Sequence, residues 1–242
     1  MTLSSNKSAI TKVQGVIIAV IIAVAAIAVA TYYVTLPKPS PPPTSVENLG
    51  GRYNVTISSW EDHAEIAYVD ETGEHSGYFE VKMRNGLDWI RVETPENATF
   101  LCWWDYGHMI KGYGERNVVV RNPSKEILES VANPSSVKEL DPHEKILDVA
   151  TAFTTSNLTK MVQIMEKYGA THIVVNSDDL VKAVWFYRTA GLNATDYLRF
   201  QDSSWRFTDA GKQTMISKLL ENRDTGFTLI YEDQEIKVYK LD

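Results

Sequence analysis

The chain has 242 residues, a formal net charge of −7 and no run of basic side chains, a balance that argues against nucleic acid as a partner. Its single cysteine, Cys102, excludes an internal disulfide, and His63, His75, His108, His143 and His172 are scattered without metal-ligand spacing. No internal repeat is visible.

Residues 1–14 carry Lys7 and Lys12 and no acid, and from Gly15 to Ala30 every residue is Gly, Ala, Val or Ile. With Thr31–Val34 the run reaches the ~20 apolar residues that cross a bilayer. Lysines before it and Tyr32-Tyr33 after it predict a single-pass anchor over 15–34, N-terminus cytoplasmic and the remainder extracellular, in the cell membrane. Ala28-Val29-Ala30 would also suit a cleaved signal peptide, but the apolar run is longer than such peptides carry. Residues 35–48, with Leu36-Pro37-Lys38-Pro39-Ser40-Pro41-Pro42-Pro43, form a proline-rich linker. The remaining stretch of about two hundred residues suits one domain with a sizeable core.

In that domain, residues 49–86 read as a β-meander, with alternating strands over 52–58, 64–70 and 78–84 and a turn at Asp70–Glu74. Trp60, His63 and the acids around them read as a solvated edge. From residue 87 the pattern is mixed α/β: a short helix to Pro95, a strand over 98–101, a turn of helix to Lys111 and a buried strand over 117–120. Helical stretches open at Pro123, Pro134 and Pro142. An amphipathic helix over 157–168, a central strand over 171–175, a helix from Asp179, a helix over 210–221 and a hairpin of 226–231 with 235–241 follow. The fold class is mixed α/β, a central sheet with helices packed on it.

Two stretches carry chemistry. In Trp103-Trp104-Asp105-Tyr106-Gly107, three aromatics surround one carboxylate at the end of an apolar strand, and Gly107 lets the backbone turn away. Indole N–H donors beside a carboxylate acceptor suit a small hydroxyl-bearing group; a core Trp pair followed by an N-capping Asp is the plainer alternative. In the second stretch, Asp179, Lys182 and Phe186 fall on one helical face, so Lys182 can pair with Asp179. That pair would equally serve as a surface ion pair contributing about 0.2–0.5 kcal/mol. Four Asn-x-Thr triplets, at Asn54, Asn97, Asn157 and Asn193, are candidate glycosylation sites on the external side.

The first stretch resembles the Trp-Trp-Asp-Tyr-Gly signature of the oligosaccharyltransferase catalytic subunits, the membrane enzymes of Asn-linked glycosylation. Leu87-Asp88-Trp89-Ile90 and Glu93-Thr94-Pro95-Glu96-Asn97-Ala98 resemble the lead-in of archaeal members. Asp179-Leu180-Val181-Lys182-Ala183-Val184-Trp185-Phe186 is similar to their second motif, with Phe186 where Met or Ile is usual. The resemblance covers residues 85–242, the family's soluble domain, without its multi-span membrane domain. It implies that Trp103, Trp104, Asp105, Tyr106, Asp179, Lys182 and Phe186 form the binding site for the Ser/Thr of an acceptor Asn-x-Ser/Thr, with Trp103, Trp104 and Asp105 bonding the hydroxyl and Phe186 touching the threonine methyl. A phenyl ring there implies a tight fit and weak binding.

The resemblance places the family's divalent Mn or Mg and its catalytic acids in the membrane domain, so neither a catalytic residue nor a cofactor is expected in this chain. The expected function is an anchored sequon-recognition module, an accessory or split subunit beside a full-length enzyme or other membrane subunits. The alternative is a repurposed scaffold or assembly subunit of an archaeal membrane complex. An independent enzyme using Asp105 or His108 lacks a visible nucleophile–base–orienter set.

Overall fold

The computed structural model describes residues 41–131 and 139–241. Strands β1 (Ser45–Gly50), β2 (Val55–Ser59), β3 (Ala64–Asp70) and β4 (Gly73–Tyr78) pair antiparallel in chain order. On β3, Ala64, Ile66 and Tyr68 are buried while Glu65, Ala67 and Val69 are exposed, the period of a half-buried strand. The meander differs from expectation at both ends. β1 forms partly inside the expected linker; its residues are largely exposed, with Val46 at 60%, so no alternation marks it. The strand expected over 78–84 ends instead at Tyr78, and after a 3₁₀ turn at Val81–Met83 the helix α1 (Arg84–Glu93) begins. Met83, Leu87 and Ile90 are all fully buried, and their spacing of four and three residues favours the helix.

The second sheet is mixed. β5 (Thr99–Leu101) leads into helix α2 (Trp104–Gly112), and β6 (Asn117–Val118) returns beside β5 in parallel. Helices α3 (Lys125–Val131), α4 (His143–Thr154) and α5 (Leu158–Lys167) precede β7 (His172–Asn176), whose five residues are all buried. Asn157 caps α5 by accepting from the Lys160 N–H, as Asn at a helix start does. After β7 come α6 (Asp179–Thr189), the short α7 (Ala194–Tyr197), the hairpin of β8 (Leu198–Gln201) and β9 (Ser204–Phe207), α8 (Met215–Leu220), and the hairpin of β10 (Thr228–Glu232) and β11 (Ile236–Lys240). The sheet order is β10-β11-β7-β5-β6, with β7, β5 and β6 parallel, β11 antiparallel to β7, and β10 antiparallel to β11.

The β8–β9 hairpin is not marked in the sequence, because its turn uses Asp202 and Ser203 at positive φ (51° and 60°) where Asn-Gly would be the usual signal. The helix expected over 210–221 is split by Thr214, which is extended between the 3₁₀ turn Gly211–Gln213 and α8. The predicted anchor, the residues before it, residues 35–40 of the linker and Pro134 lie outside the described residues. Among the described residues, no helix is long and apolar enough to cross a membrane.

Candidate functional site

Adjacent parallel strands bring the two sequence motifs together. β5 and β7 pair with Leu101 opposite Ile173; β5 ends into α2 and β7 into α6, so residues more than seventy positions apart meet at the carboxyl ends of neighbouring strands, where open α/β sheets bind ligands. Trp103 is the extended residue before α2, with no side-chain cap. Asp105 therefore lies inside the first helical turn rather than at the cap, where its charge is favoured by the helix N-terminus.

Gly107 differs from its expected role as a turn. It is a buried residue within α2, and a Cβ there would lie 2.3 Å from the Val120 carbonyl oxygen and 2.5 Å from Arg121 Cα. The glycine lets the helix approach the chain beyond β6, and so fixes where Asp105 stands.

Lys182 joins the motifs. Its Nζ lies 2.9 Å from Asp105 Oδ2 and donates to the Tyr106 hydroxyl at 2.9 Å, over the Tyr106 ring. The Tyr106 hydroxyl in turn donates to Asp179 Oδ1 at 2.7 Å, and Asp179 Oδ2 accepts the Asn176 N–H at 2.8 Å. The expected Asp179–Lys182 pair is thus made through the Tyr106 hydroxyl, while Lys182 neutralises Asp105. Burial pushes the Asp105 carboxyl up, with Lys182 opposing. Burial likewise raises Asp179 to about 7, against the hydrogen bonds from Asn176 and Tyr106.

The two indoles do different jobs. Trp103 is buried, its ring 4.2 Å from that of Phe186, which is fully buried and also packs on Phe153. Phe186 therefore backs Trp103, and its ring is sealed from the solvent that a threonine methyl would have to displace. Trp104 is partly exposed, yet its Nε1 is shielded and has no hydrogen-bond partner. An unpaired buried donor costs about 1–3 kcal/mol, so it stands ready for an acceptor.

Trp104, Asp105, Tyr106 and Lys182 line a cavity of about 980 Å³ whose opposite side is the meander, including Tyr68, Gly77 and Tyr78. His108 also lines it; burial and the nearby Arg121 charge lower this imidazole to about 4, leaving it neutral, with Nδ1 3.3 Å from the Tyr68 hydroxyl. The sequence offers His108 only as the acid–base of an independent enzyme and not among the hydroxyl-binding residues, although its spacing of three from Asp105 and four from Trp104 puts it on their helical face. Tyr68, Tyr78 and Arg121 had no comparable signal, since they come from distant segments.

In the cavity wall His75 is clamped between Asp70 (2.7 Å from Nε2) and Glu139 (3.0 Å from Nδ1), with Arg121 bridging both carboxylates. The acids bracket the ring from opposite nitrogens and do not converge on one point. Among the described residues, no three His, Cys, Asp or Glu side chains are placed to hold a metal ion. Asn54, Asn97, Asn157 and Asn193 are all exposed.

No family model matches the chain. It is 26% identical over 173 residues to the dolichyl-diphosphooligosaccharide–protein glycosyltransferase subunit stt3 of Schizosaccharomyces pombe, covering 69% of this chain and 20% of that protein. A 36-residue stretch, 15% of this chain and 4% of the relative, is 50% identical to the dolichyl-phosphooligosaccharide-protein glycotransferase of Methanocaldococcus jannaschii. Its fold is similar to that of the C-terminal globular domain of oligosaccharyltransferase from Archaeoglobus fulgidus, with a TM-score of 0.50 and 20% identity over 68% of this chain and 99% of that one. The chain spans about a fifth of the length of the curated relatives it matches.

Proposed function

We propose that this chain, whose homologues are oligosaccharyltransferase catalytic subunits and whose fold is that of their C-terminal globular domain, recognises the hydroxyl-bearing residue of Asn-x-Ser/Thr acceptors in protein N-glycosylation. The observation that carries this reading is the Asp105 carboxylate, held by Lys182 on the cavity wall beside the Trp104 ring. Asp105 accepts the O–H; the Trp104 indole N–H, shielded and without a partner, donates back to the oxygen once the ring turns it toward the cavity. A residue lacking the hydroxyl would leave the Trp104 N–H unpaired and Asp105 with Lys182 as its one partner, which is where discrimination comes from. Tyr106, Asp179 and Lys182 position the carboxylate, and Trp103 with Phe186 forms the packed wall behind it.

In this reading the chain is an accessory or split subunit, anchored by residues 15–34 with its domain outside the cell membrane. It presents acceptor segments to a partner chain that carries the lipid-linked glycan chemistry. The exposed Asn54, Asn97, Asn157 and Asn193 would then be acceptors themselves. The test is titration of an Asn-x-Thr peptide into the wild type and Asp105→Asn. The amide keeps the shape but loses the charge-assisted acceptor, so affinity should fall about tenfold or more; equal affinities would overturn the reading.

A further inference from the structure

The meander has a free edge that borders the site. β4 is the outer strand of its sheet, in the order β1-β2-β3-β4. The Phe79 N–H donates to the Ala64 carbonyl, and Glu65 stands opposite Tyr78 and Asp70 opposite Gly73. In an antiparallel ladder bonded pairs recur every second residue, so Gly77, Ser76's neighbour His75, and Gly73 turn their amides toward β3. The N–H and C=O groups of Glu74, Ser76 and Tyr78 therefore point away from it. Among the described residues none of these outward groups has a backbone or side-chain partner. Such an edge is a template for another strand.

We propose that an extended acceptor polypeptide adds to β4 as a fifth strand and that this delivers its hydroxyl-bearing residue to Trp104 and Asp105. This inference rests on the sequon reading above and adds the mode by which the backbone is held. Glu74, Ser76 and Tyr78 line the same cavity as Trp104, Asp105 and Lys182, so edge and hydroxyl site are continuous. Gly77 lies against the His108 ring, where a Cβ would stand 2.6 Å from Cδ2, which brings the strand close to the helix that carries the motif.

Charge selects among peptides. The cations lining the cavity are already engaged, Arg121 by Asp70 and Glu139 and Lys182 by Asp105. Among the described residues, Glu65, Glu74 and Glu80 line it without a lysine or arginine partner, Glu65 having only His63 at 3.9 Å. The favoured occupant is thus an extended chain with Lys or Arg beside its Asn-x-Thr. Main-chain bonds supply affinity that tolerates varied sequence, and the alternating side chains supply selectivity.

The test uses the full chain and a basic Asn-x-Thr peptide, with hydrogen exchange read by mass spectrometry at residue resolution and affinity read by titration. Saturating peptide should protect the Glu74, Ser76 and Tyr78 amides. Ser76→Pro removes one outward donor at a position where an edge strand tolerates proline, and should weaken binding about three- to tenfold. Glu74→Lys should weaken binding of the basic peptide more than of an uncharged one, which keeps the proposal testable should the proline variant fold poorly. Binding that depends on Asp105 but leaves the β4 amides unprotected would overturn strand addition and leave the sequon reading intact. Protected β4 amides with no dependence on Asp105 would support strand addition and overturn the sequon reading. Absence of any binding would overturn both.

Discussion

Lys182 Nζ sits 2.9 Å from Asp105 and 2.9 Å from the Tyr106 hydroxyl, and so ties the start of α6 to the start of α2. This one ammonium sets the charge state of the candidate hydroxyl acceptor. Lys182→Met would leave Asp105 in a desolvated place with no cation. Both side chains keep some solvent exposure, 30% and 24%, so the loss should be smaller than for a sealed pair, about 1–3 kcal/mol of stability. Urea unfolding measures that, and peptide titration should show weakened binding that worsens as the pH is lowered through Asp105's elevated range. An unchanged pH profile would show that Lys182 does not control the carboxylate.

Asp179 predicts a pH effect of definite sign. Its carboxyl is raised from the ordinary 3.8 to about 7, chiefly by burial. The folded state therefore holds the proton more tightly than the unfolded chain. The stabilisation is fully present below about 3.8 and is lost as pH rises through about 7. Asp179→Asn removes this titration, so the mutant should gain relative to wild type between pH 5 and pH 8. Asp70 does not interfere: burial raises its carboxyl, but hydrogen bonds from Thr72 and His75 outweigh it and hold it at about 2. A stability difference equal at both pH values, measured by urea unfolding, would contradict this assignment.

Gly107→Ala should be costly although it is a helix-favouring change on a helix. The new methyl would meet backbone atoms at Val120 and Arg121, which cannot rotate away. Destabilisation of about 3 kcal/mol is expected, the upper end for an overpacked site. A neutral or stabilising effect on thermal unfolding would mean that α2 is not held against that segment.

Phe186→Met separates the resemblance from the geometry. If the residue touched the threonine methyl, methionine would favour Asn-x-Thr over Asn-x-Ser peptides. Because Phe186 is fully buried behind Trp103, the swap should cost up to about 1.5 kcal/mol of stability and leave the Thr-to-Ser affinity ratio unchanged. A changed ratio would place Phe186 in the site.

Local patterns read well where one periodicity dominated. β3, β7, α5 and the last hairpin stand within a residue or two of expectation, because their apolar spacing agrees with turn and cap residues at their ends. Met83 to Ile90 was harder: Val81 and Met83 alternate like a strand, and only the burial of Leu87 and Ile90 on the same side decides for helix. β1 carries no pattern because its sheet edge is exposed, and Asp202-Ser203 hides a tight turn. Of the site, the residue types were visible in the sequence, while the one pairing expected there, Lys182 with Asp179, stays within the second motif. What was not visible is which partner each group takes. That Lys182 chooses Asp105, and Tyr106 mediates to Asp179, follows from β5 and β7 being neighbours, a long-range fact that helical spacing within one motif cannot contain.

The central claim is that Asp105 and Trp104 together bind an acceptor hydroxyl, and the most direct measurement compares Asn-x-Thr with Asn-x-Val peptides of otherwise identical sequence. Valine keeps the shape of threonine and replaces its hydroxyl with a methyl. The account predicts that the threonine peptide binds about ten- to a hundredfold more tightly by calorimetric titration, the worth of a hydrogen bond to a charged group. Equal affinities for the two peptides would contradict it.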